Sequence, residues 1–147
     1  MFEISSISLD AVSAVGFKIF AFLVGLAALI FVHELGHFLA ARKCGVIVEK
    51  FSIGFGKKLF GTTSQGTEFI IAAIPLGGYV KMKGEELGEE TNEEGSFSAA
   101  PPHHRLLIAF AGPFFNFLFA LAIYVFVYMA GVETIGPVIG TVKTNSP

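Results

Sequence analysis

Two long apolar runs constrain the fold of this chain more than any other feature of its sequence. The first, Ile19 to Ala41, contains 23 residues between Lys18 and Arg42. As an α-helix it would be about 34 Å long, enough to cross a hydrocarbon core of ~30 Å. The second run, Leu106 to Val132, has Asn116 as its one strongly polar side chain. We therefore predict an α-helical polytopic membrane protein with transmembrane helices at 19–41 and 106–132, surrounded by the lipid bilayer.

The composition agrees with a membrane protein and excludes several other classes. Hydrophobic residues make up 53% and charged residues 15% of the 147 residues, and the mean hydropathy is +0.69. Disordered chains and coiled coils need far more charge than this. The net charge of −2 gives no basic field for a nucleic-acid partner. Cys44 is the single cysteine, which excludes an internal disulfide.

The positive residues predict the orientation of the two helices. Eight of the ten lysines and arginines lie between the apolar runs: Arg42, Lys43, Lys50, Lys57, Lys58, Lys81, Lys83 and Arg105. Because cytoplasmic loops are enriched in these residues, we expect 42–105 to be cytosolic. The N-terminal segment 1–18 and the residues after 132 are then on the other side of the membrane.

The connecting region, 42–105, contains sequence typical of β-structure. Thr67 to Met82 reads as a strand, and because Pro75 cannot donate to a ladder, the strand should lie at a sheet edge or break there. The glycine-punctuated segment Phe51–Phe60 follows the first helix closely and can return to line a cavity at membrane depth. The acidic stretch from Glu85 to Glu94 is predicted to be a solvated loop or short helix.

The chemistry lies in the first helix, where His33-Glu34-Leu35-Gly36-His37 forms an H-E-x-x-H motif. Residues i and i+4 share one face of an α-helix, so His33 and His37 can bind one Zn²⁺ ion. Glu34 lies beside them and can take a proton from a water on the metal. An acidic residue near the centre of a membrane helix costs about 2.5–3.5 kcal/mol, and a metal site that uses all three groups offsets this cost.

The depth of the motif has a consequence for access. Counting back from Ala41, His37 is four residues and His33 eight residues inside the run, about 6–12 Å along the helix axis. Water must therefore reach this depth from the cytosolic side.

A second polar feature lies in the apolar run that follows. Gly112-Pro113 should kink or interrupt the second helix, and Asn116 can hydrogen-bond the first helix or freed backbone groups. Two interpretations are open: a packing kink with one satisfied amide, or positioning of the active site or substrate.

Together these motifs resemble the site-two protease family of intramembrane zinc metalloproteases, and most closely the bacterial branch that includes the regulator of sigma-E protease. The matching segments, in order, are HELGH, FSIGFGKKLF, IPLGGYVKMKGE and AGPFFN. The residues from Ile135 onward resemble the opening of the PDZ region that these proteases insert after the second helix. The resemblance implies a fold with a cytosolic-side β-hairpin or re-entrant β loop between two helices, truncated within 133–147 at the start of a PDZ-like region.

The resemblance also implies residue roles. His33 and His37 would bind Zn²⁺ and Glu34 would be the general base. Gly54, Phe55 and Gly56 would belong to the re-entrant loop that meets substrate. An edge strand would pair with an extended substrate through Phe69, Ile70, Ile71, Ala72, Ala73 and Ile74. The family's third ligand is an aspartate in a later membrane helix, so residues 1–147 are expected to lack one ligand and to be inactive alone.

The function implied is hydrolysis of peptide bonds in or near the transmembrane segments of single-pass substrates, such as anti-sigma factors or signal-peptide remnants, in the bacterial inner membrane. Two alternatives stay open. One is a membrane-anchored zincin whose motif lies in a cytosolic domain, although here the apolar run continues beyond His37. The other is a non-catalytic membrane metal-binding protein, which would have no need for Glu34.

Overall fold

The computed structural model describes residues 9–86 and 93–131, with side chains from residue 11 onward. Its elements are two helices and two strands: α1 (Leu9–Lys43), β1 (Val48–Ser64), β2 (Thr67–Met82) and α2 (Pro102–Ala130). The predicted PDZ-like start at 133–147 lies outside the described residues, as do Glu89 and Glu90 of the acidic stretch.

Both helices are long and apolar enough to cross a membrane, as the two apolar runs predict. The apolar windows belong to Ala11–Lys43, with a mean hydropathy of 2.5, and to Pro102–Ala130, with 2.2. Large side chains such as Phe17 and Phe110 are exposed in both helices, as lipid-facing residues would be. Helix α1 begins ten residues before the predicted span, in a stretch that contains no proline.

Helix α1 ends in a tight left-handed turn that directs the chain into the sheet. Gly45 has a φ of +78°, a conformation that glycine adopts without steric cost. The Val46 N–H donates to the Ala41 carbonyl at 2.9 Å, and the Gly45 N–H donates to the Arg42 carbonyl at 3.2 Å. This pair of bonds is a Schellman cap. Strand β1 therefore begins within a few residues of the helix that carries the histidines.

Strands β1 and β2 form an antiparallel hairpin that folds back on itself. Next to the turn at Gln65-Gly66, residues 60–64 of β1 pair with 67–71 of β2. The opening residues of β1, 50–53, have partners on two segments of β2, at 68–71 and at 78–81. Gly54 and Gly56 have φ values of +92° and +85°, which let β1 turn between its two paired stretches. The order across the sheet is therefore 60–64, 67–71, 50–53 and 78–82.

This order differs from the edge position predicted for the first half of β2. Phe69 pairs with both Phe51 and Thr62, and Ile71 pairs with both Ile53 and Phe60. Ile70 lies between Ser52 and Gly61 in the same way. The resemblance implies an edge strand at Phe69–Ile74, and for Phe69–Ile71 this is wrong because the folded-back hairpin supplies a neighbour on each side. Ala72 and Ile74 each pair with one residue of β1, Lys58 and Phe55 respectively. Residues 78–80 instead form an edge of the sheet, since within the part of the chain that the structure describes they pair with 51–53 on one side only.

A small core joins the sheet to the ends of both helices. Its buried side chains come from every element and from the connection after α1: Ala41, Val46, Val48, Phe51, Val80, Met82 and Ile108. Phe38 of α1 packs edge-on against Phe51 and Phe69 with ring centroids 5.5 and 5.7 Å away. This core fixes the sheet against the last turns of α1, one turn from the H-E-x-x-H motif.

Candidate metal centre

The two histidines of the motif converge on one point. His33 and His37 lie one turn apart on α1, and their Nε2 atoms are 3.2 Å from each other. Both side chains are half-buried against α2. The helical spacing alone brings the rings together, as the sequence predicts.

This geometry fits a tetrahedral zinc ion. With Zn–N bonds of about 2.0–2.1 Å, two nitrogens of a tetrahedral site are separated by roughly 3.3–3.4 Å, close to the observed 3.2 Å. The space in front of the two nitrogens is kept open by a glycine. A β-carbon on Gly112 would lie 2.4 Å from His37 Nε2 and 2.8 Å from His33 Nε2, so any side chain there would fill this space.

The Nδ1 atom of each ring, which points away from the other histidine, lies next to a polar group of α2. The His37 Nδ1–H group donates to the Ile108 carbonyl at 2.7 Å, which leaves its Nε2 free as a ligand. On the other ring, His33 Nδ1 lies 3.2 Å from Asn116 Nδ2. The Asn116 Oδ1 atom is buried and has no hydrogen-bond partner among the described residues.

Helix α2 reaches these rings because α1 carries a glycine at the crossing point. Gly36 is buried, and a β-carbon on it would come within 2.5 Å of the Ala111 carbonyl oxygen. Small residues of this kind allow membrane helices to approach closely. The Gly36–Ala111 contact therefore determines how near Gly112 and Asn116 come to the histidines.

Glu34 faces the sheet and borders two cavities. One, of about 350 Å³, is shared with His33, Phe55 and Asn116. The other, of about 400 Å³, is shared with His37, Tyr79 and Glu85. Both cavities also touch Gly78, where a β-carbon would lie 3.1 Å from Glu34 Cγ. Glu34 thus opens onto two cavities beside the sheet edge formed by residues 78–80.

Of the remaining residues that the sequence singles out, some lie beside the histidines and Glu34 and others do not. Phe55 lies in the cavity beside His33, stacked on Tyr79 with centroids 6.4 Å apart. Gly54 and Gly56 turn β1 but line neither cavity at Glu34. The six strand residues Phe69, Ile70, Ile71, Ala72, Ala73 and Ile74 line neither of them either. Pro113 does not interrupt α2, which is continuous from Pro102 to Ala130.

Sequence reasoning missed two contributors to the site. One is the Ile108 carbonyl, which no sequence pattern reveals because any residue supplies a carbonyl. The other is the Gly77-Gly78 pair, where adjacent glycines in a strand are a recognisable signal of close backbone approach. A β-carbon on Gly78 would also lie 2.7 Å from the Ser52 carbonyl oxygen.

The described residues provide no third side-chain ligand. Within 9–86 and 93–131, no group of three His, Cys, Asp or Glu side chains surrounds a common point. Asp10 is 23 positions before His33 on the same helix, which places its backbone about 34 Å away along the axis.

Comparison with known proteins gives consistent matches. Residues 21–145 match the family described as peptidase family M50. A Helicobacter pylori protein named "Putative zinc metalloprotease" is 52% identical over 128 residues, covering 82% of this chain and 36% of the relative. "Protease RseP" of Yersinia pestis is 51% identical over 129 residues, which cover 86% of this chain and 29% of the relative. "Regulator of sigma-E protease RseP" of Salmonella typhimurium is 48% identical over 130 residues, with the same coverage. The chain spans about a third of the length of these relatives.

Proposed function

We propose that this chain, which belongs to peptidase family M50, carries two zinc ligands and the general base of a metalloprotease that cleaves peptide bonds within the membrane. The observation that carries the proposal is the 3.2 Å approach of His33 and His37 Nε2 in an apolar helix. Glu34, the third member of the motif, opens onto the adjacent cavities. A protein that only bound metal would not need this carboxylate beside a strand edge.

The residues of the chain divide the chemistry among them. When bound, zinc supplies Lewis acidity to the reacting carbonyl and to the attacking water. His33 and His37 would hold it through Nε2, and the Ile108 carbonyl keeps the His37 ring oriented. Glu34 accepts the proton of the attacking water and returns it to the leaving amine.

Substrate is proposed to add to the sheet at residues 78–80, in place of the edge at Phe69–Ile74 that the family resemblance implies. A helical segment hides its peptide bonds in its own hydrogen bonds, and pairing with a strand edge extends it. Gly78, Tyr79 and Val80 line a cavity together with Glu34. Just beyond this edge, the Met82 N–H donates to the Glu85 carboxylate at 3.1 Å. A substrate strand that extended this far would replace the Glu85 carboxylate as the acceptor of that N–H.

The proposed topology has residues 42–105 in the cytosol and the residues before 19 and after 132 on the other side. It is supported by the basic last turn of α1, Arg42 and Lys43, and by the other lysines and the arginine of the connecting region. The proposed location is the bacterial inner membrane. The proposed substrates are single-pass membrane proteins, of which anti-sigma factors and signal-peptide remnants are examples.

A third zinc ligand is proposed to come from outside the described residues. Catalytic zinc usually has three protein ligands and an open position, and Glu34 is needed as the base. An aspartate on a further membrane helix, as in the site-two protease family, would complete the site.

The test uses the full-length protein purified in detergent and a reporter substrate with one transmembrane segment. We expect about one zinc per chain, loss of cleavage after treatment with a chelator, and recovery when zinc is added back. His33→Ala and His37→Ala should each reduce both bound zinc and cleavage, whereas Phe17→Ala on the exposed face of α1 should change neither. Tight zinc binding without any cleavage would instead favour a non-catalytic metal-binding protein.

A further inference from the structure

We propose that Asn116 is a positioning residue for the zinc ligand His33, and that its Oδ1 accepts a hydrogen bond from the Nδ1–H group of that imidazole. This inference rests on the proposed zinc site. It assigns a defined chemical role to the one strongly polar side chain in the apolar run of α2.

Each imidazole must carry its proton on the nitrogen that does not bind the metal. A neutral imidazole carries one N–H group, and the nitrogen that binds metal must present a lone pair. Since the Nε2 atoms of His33 and His37 face each other at 3.2 Å, both must be free of protons in the metal-loaded state. Each ring then carries its proton on Nδ1, and each Nδ1–H needs an acceptor.

The Nδ1 atoms of His37 and His33 face two different groups of α2. His37 has the Ile108 carbonyl at 2.7 Å, and a carbonyl can only accept. His33 has the Asn116 amide, whose Nδ2 lies 3.2 Å from Nδ1 while Oδ1 is buried without a partner. A half-turn of the amide exchanges these two atoms. The turned amide would place Oδ1 against the His33 Nδ1–H group and give the buried oxygen its missing partner.

Among the residues that the structure describes, Asn116 is the polar side chain within hydrogen-bond distance of His33 Nδ1. The cavity next to His33 and Asn116 is lined mainly by apolar groups, including Leu26, Leu29 and Ile30. Glu34 also lines it, but Glu34 is the proposed general base. Asn116 is therefore the neighbour that can fix the orientation and protonation of the His33 ring.

A packing role and an acceptor role make opposite predictions for two substitutions of similar size. Asn116→Leu fills the same space but cannot accept a hydrogen bond. Asn116→Asp can accept but, as a carboxylate, cannot donate. If Asn116 only packs, leucine should be tolerated in this apolar helix. If it accepts from Nδ1–H, aspartate should be tolerated and leucine should not.

The experiment measures zinc affinity of the full-length protein in detergent by competition with a chelator. Removing an outer partner of a metal-bound histidine typically costs 10–100-fold in affinity, so we expect Asn116→Leu to weaken binding by about that factor. Asn116→Asp should bind zinc at least as tightly as the wild type. Nitrogen-15 NMR of labelled histidine in the zinc-loaded wild type should show the proton of His33 on Nδ1.

The outcomes separate this inference from the proposed function. If the wild type binds no zinc, the proposed function fails and the role of Asn116 fails with it. If the wild type binds zinc and Asn116→Leu binds it equally well, only the present inference is overturned. Weak binding by both Asn116→Leu and Asn116→Asp would also overturn it, because aspartate keeps the acceptor. Retention by aspartate and loss by leucine is the result that we expect.

Discussion

Gly112 of α2 lies directly against His37 of α1: a β-carbon on Gly112 would come within 2.4 Å of His37 Nε2. Residues that are far apart in sequence, such as His37 and Ile108 with a separation of 71 positions, thus share one small space. A glycine at this position leaves room for a metal ion that an alanine would occupy.

Gly112→Ala should therefore prevent zinc binding without a large loss of stability. Alanine has a higher helix propensity than glycine by about 1 kcal/mol, so any destabilisation must come from contact with the imidazoles. The measurement is bound zinc per chain together with the melting temperature. Gly25→Ala is the matched control, since a β-carbon there would meet nothing within 4 Å. Normal zinc content in Gly112→Ala would contradict the proposed position of the metal.

Gly36→Ala should separate the two helices at their crossing point. The new β-carbon would lie 2.5 Å from the Ala111 carbonyl oxygen, and backbone cannot give way as a flexible side chain can. We expect a lower melting temperature and a lower zinc affinity than in Gly25→Ala, which lies on the same helix. Equal stability of the two variants would show that the Gly36–Ala111 contact does not hold α2 in place.

Gly78→Ala should impair cleavage more than zinc binding. Its β-carbon would meet the Ser52 carbonyl oxygen at 2.7 Å and Glu34 Cγ at 3.1 Å, so either the strand edge or the general base must shift. The three atoms nearest to this β-carbon belong to Ser52, Glu34 and Ile30, and none of them belongs to a histidine. The measurement is the cleavage rate at full zinc occupancy. A wild-type rate would argue against the edge at 78–80 as the place where substrate binds.

The ion pair between Lys83 and Glu93 should have a defined pH dependence. It links the end of β2 to the segment before α2. The hydrogen bond with the Glu93 carboxylate raises the pKa of Lys83 above its ordinary value of 10.5. A raised pKa means that the stabilisation is complete below pH 10.5 and is lost as the pH rises through the pKa of the folded protein.

Melting temperatures across pH check this expectation. Lys83→Gln should melt below the wild type at pH 8, and the difference should shrink at pH values above 10.5. Lys57→Gln is the control, because Lys57 has no ion pair in the described part of the chain. If the difference in melting temperature between Lys83→Gln and the wild type grew above pH 10.5, the stabilising role of the Lys83–Glu93 ion pair would be contradicted.

The sequence predicts the elements of this fold well, because each has a strong local signal. Strand β2 has the predicted bounds, Thr67–Met82. The first apolar run is helical throughout, and the second is helical up to Ala130. The convergence of His33 and His37 follows from helical spacing alone. These features depend on residues that are close in sequence.

The features that were not predictable depend on contacts between distant segments. The double pairing of Phe51, with Phe69 on one side and Val80 on the other, follows from the bend of β1 at Gly54 and Gly56. Periodicity along one strand does not reveal such a neighbour, so the edge strand that the resemblance implies at Phe69–Ile74 was wrong for Phe69–Ile71. The Ile108 carbonyl reaches His37 only because Gly36 lets α2 approach.

The most direct test of the account is Glu34→Gln in the full-length protein, with zinc content and cleavage of a single-pass substrate measured on the same sample. Glutamine keeps the size of the side chain and leaves both imidazoles unchanged, but it cannot accept the proton of the attacking water. General acid–base catalysis contributes about 10²–10⁴-fold to rates. We expect wild-type zinc content and cleavage reduced by at least about 10²-fold. Cleavage at the wild-type rate by the zinc-loaded variant would contradict the account.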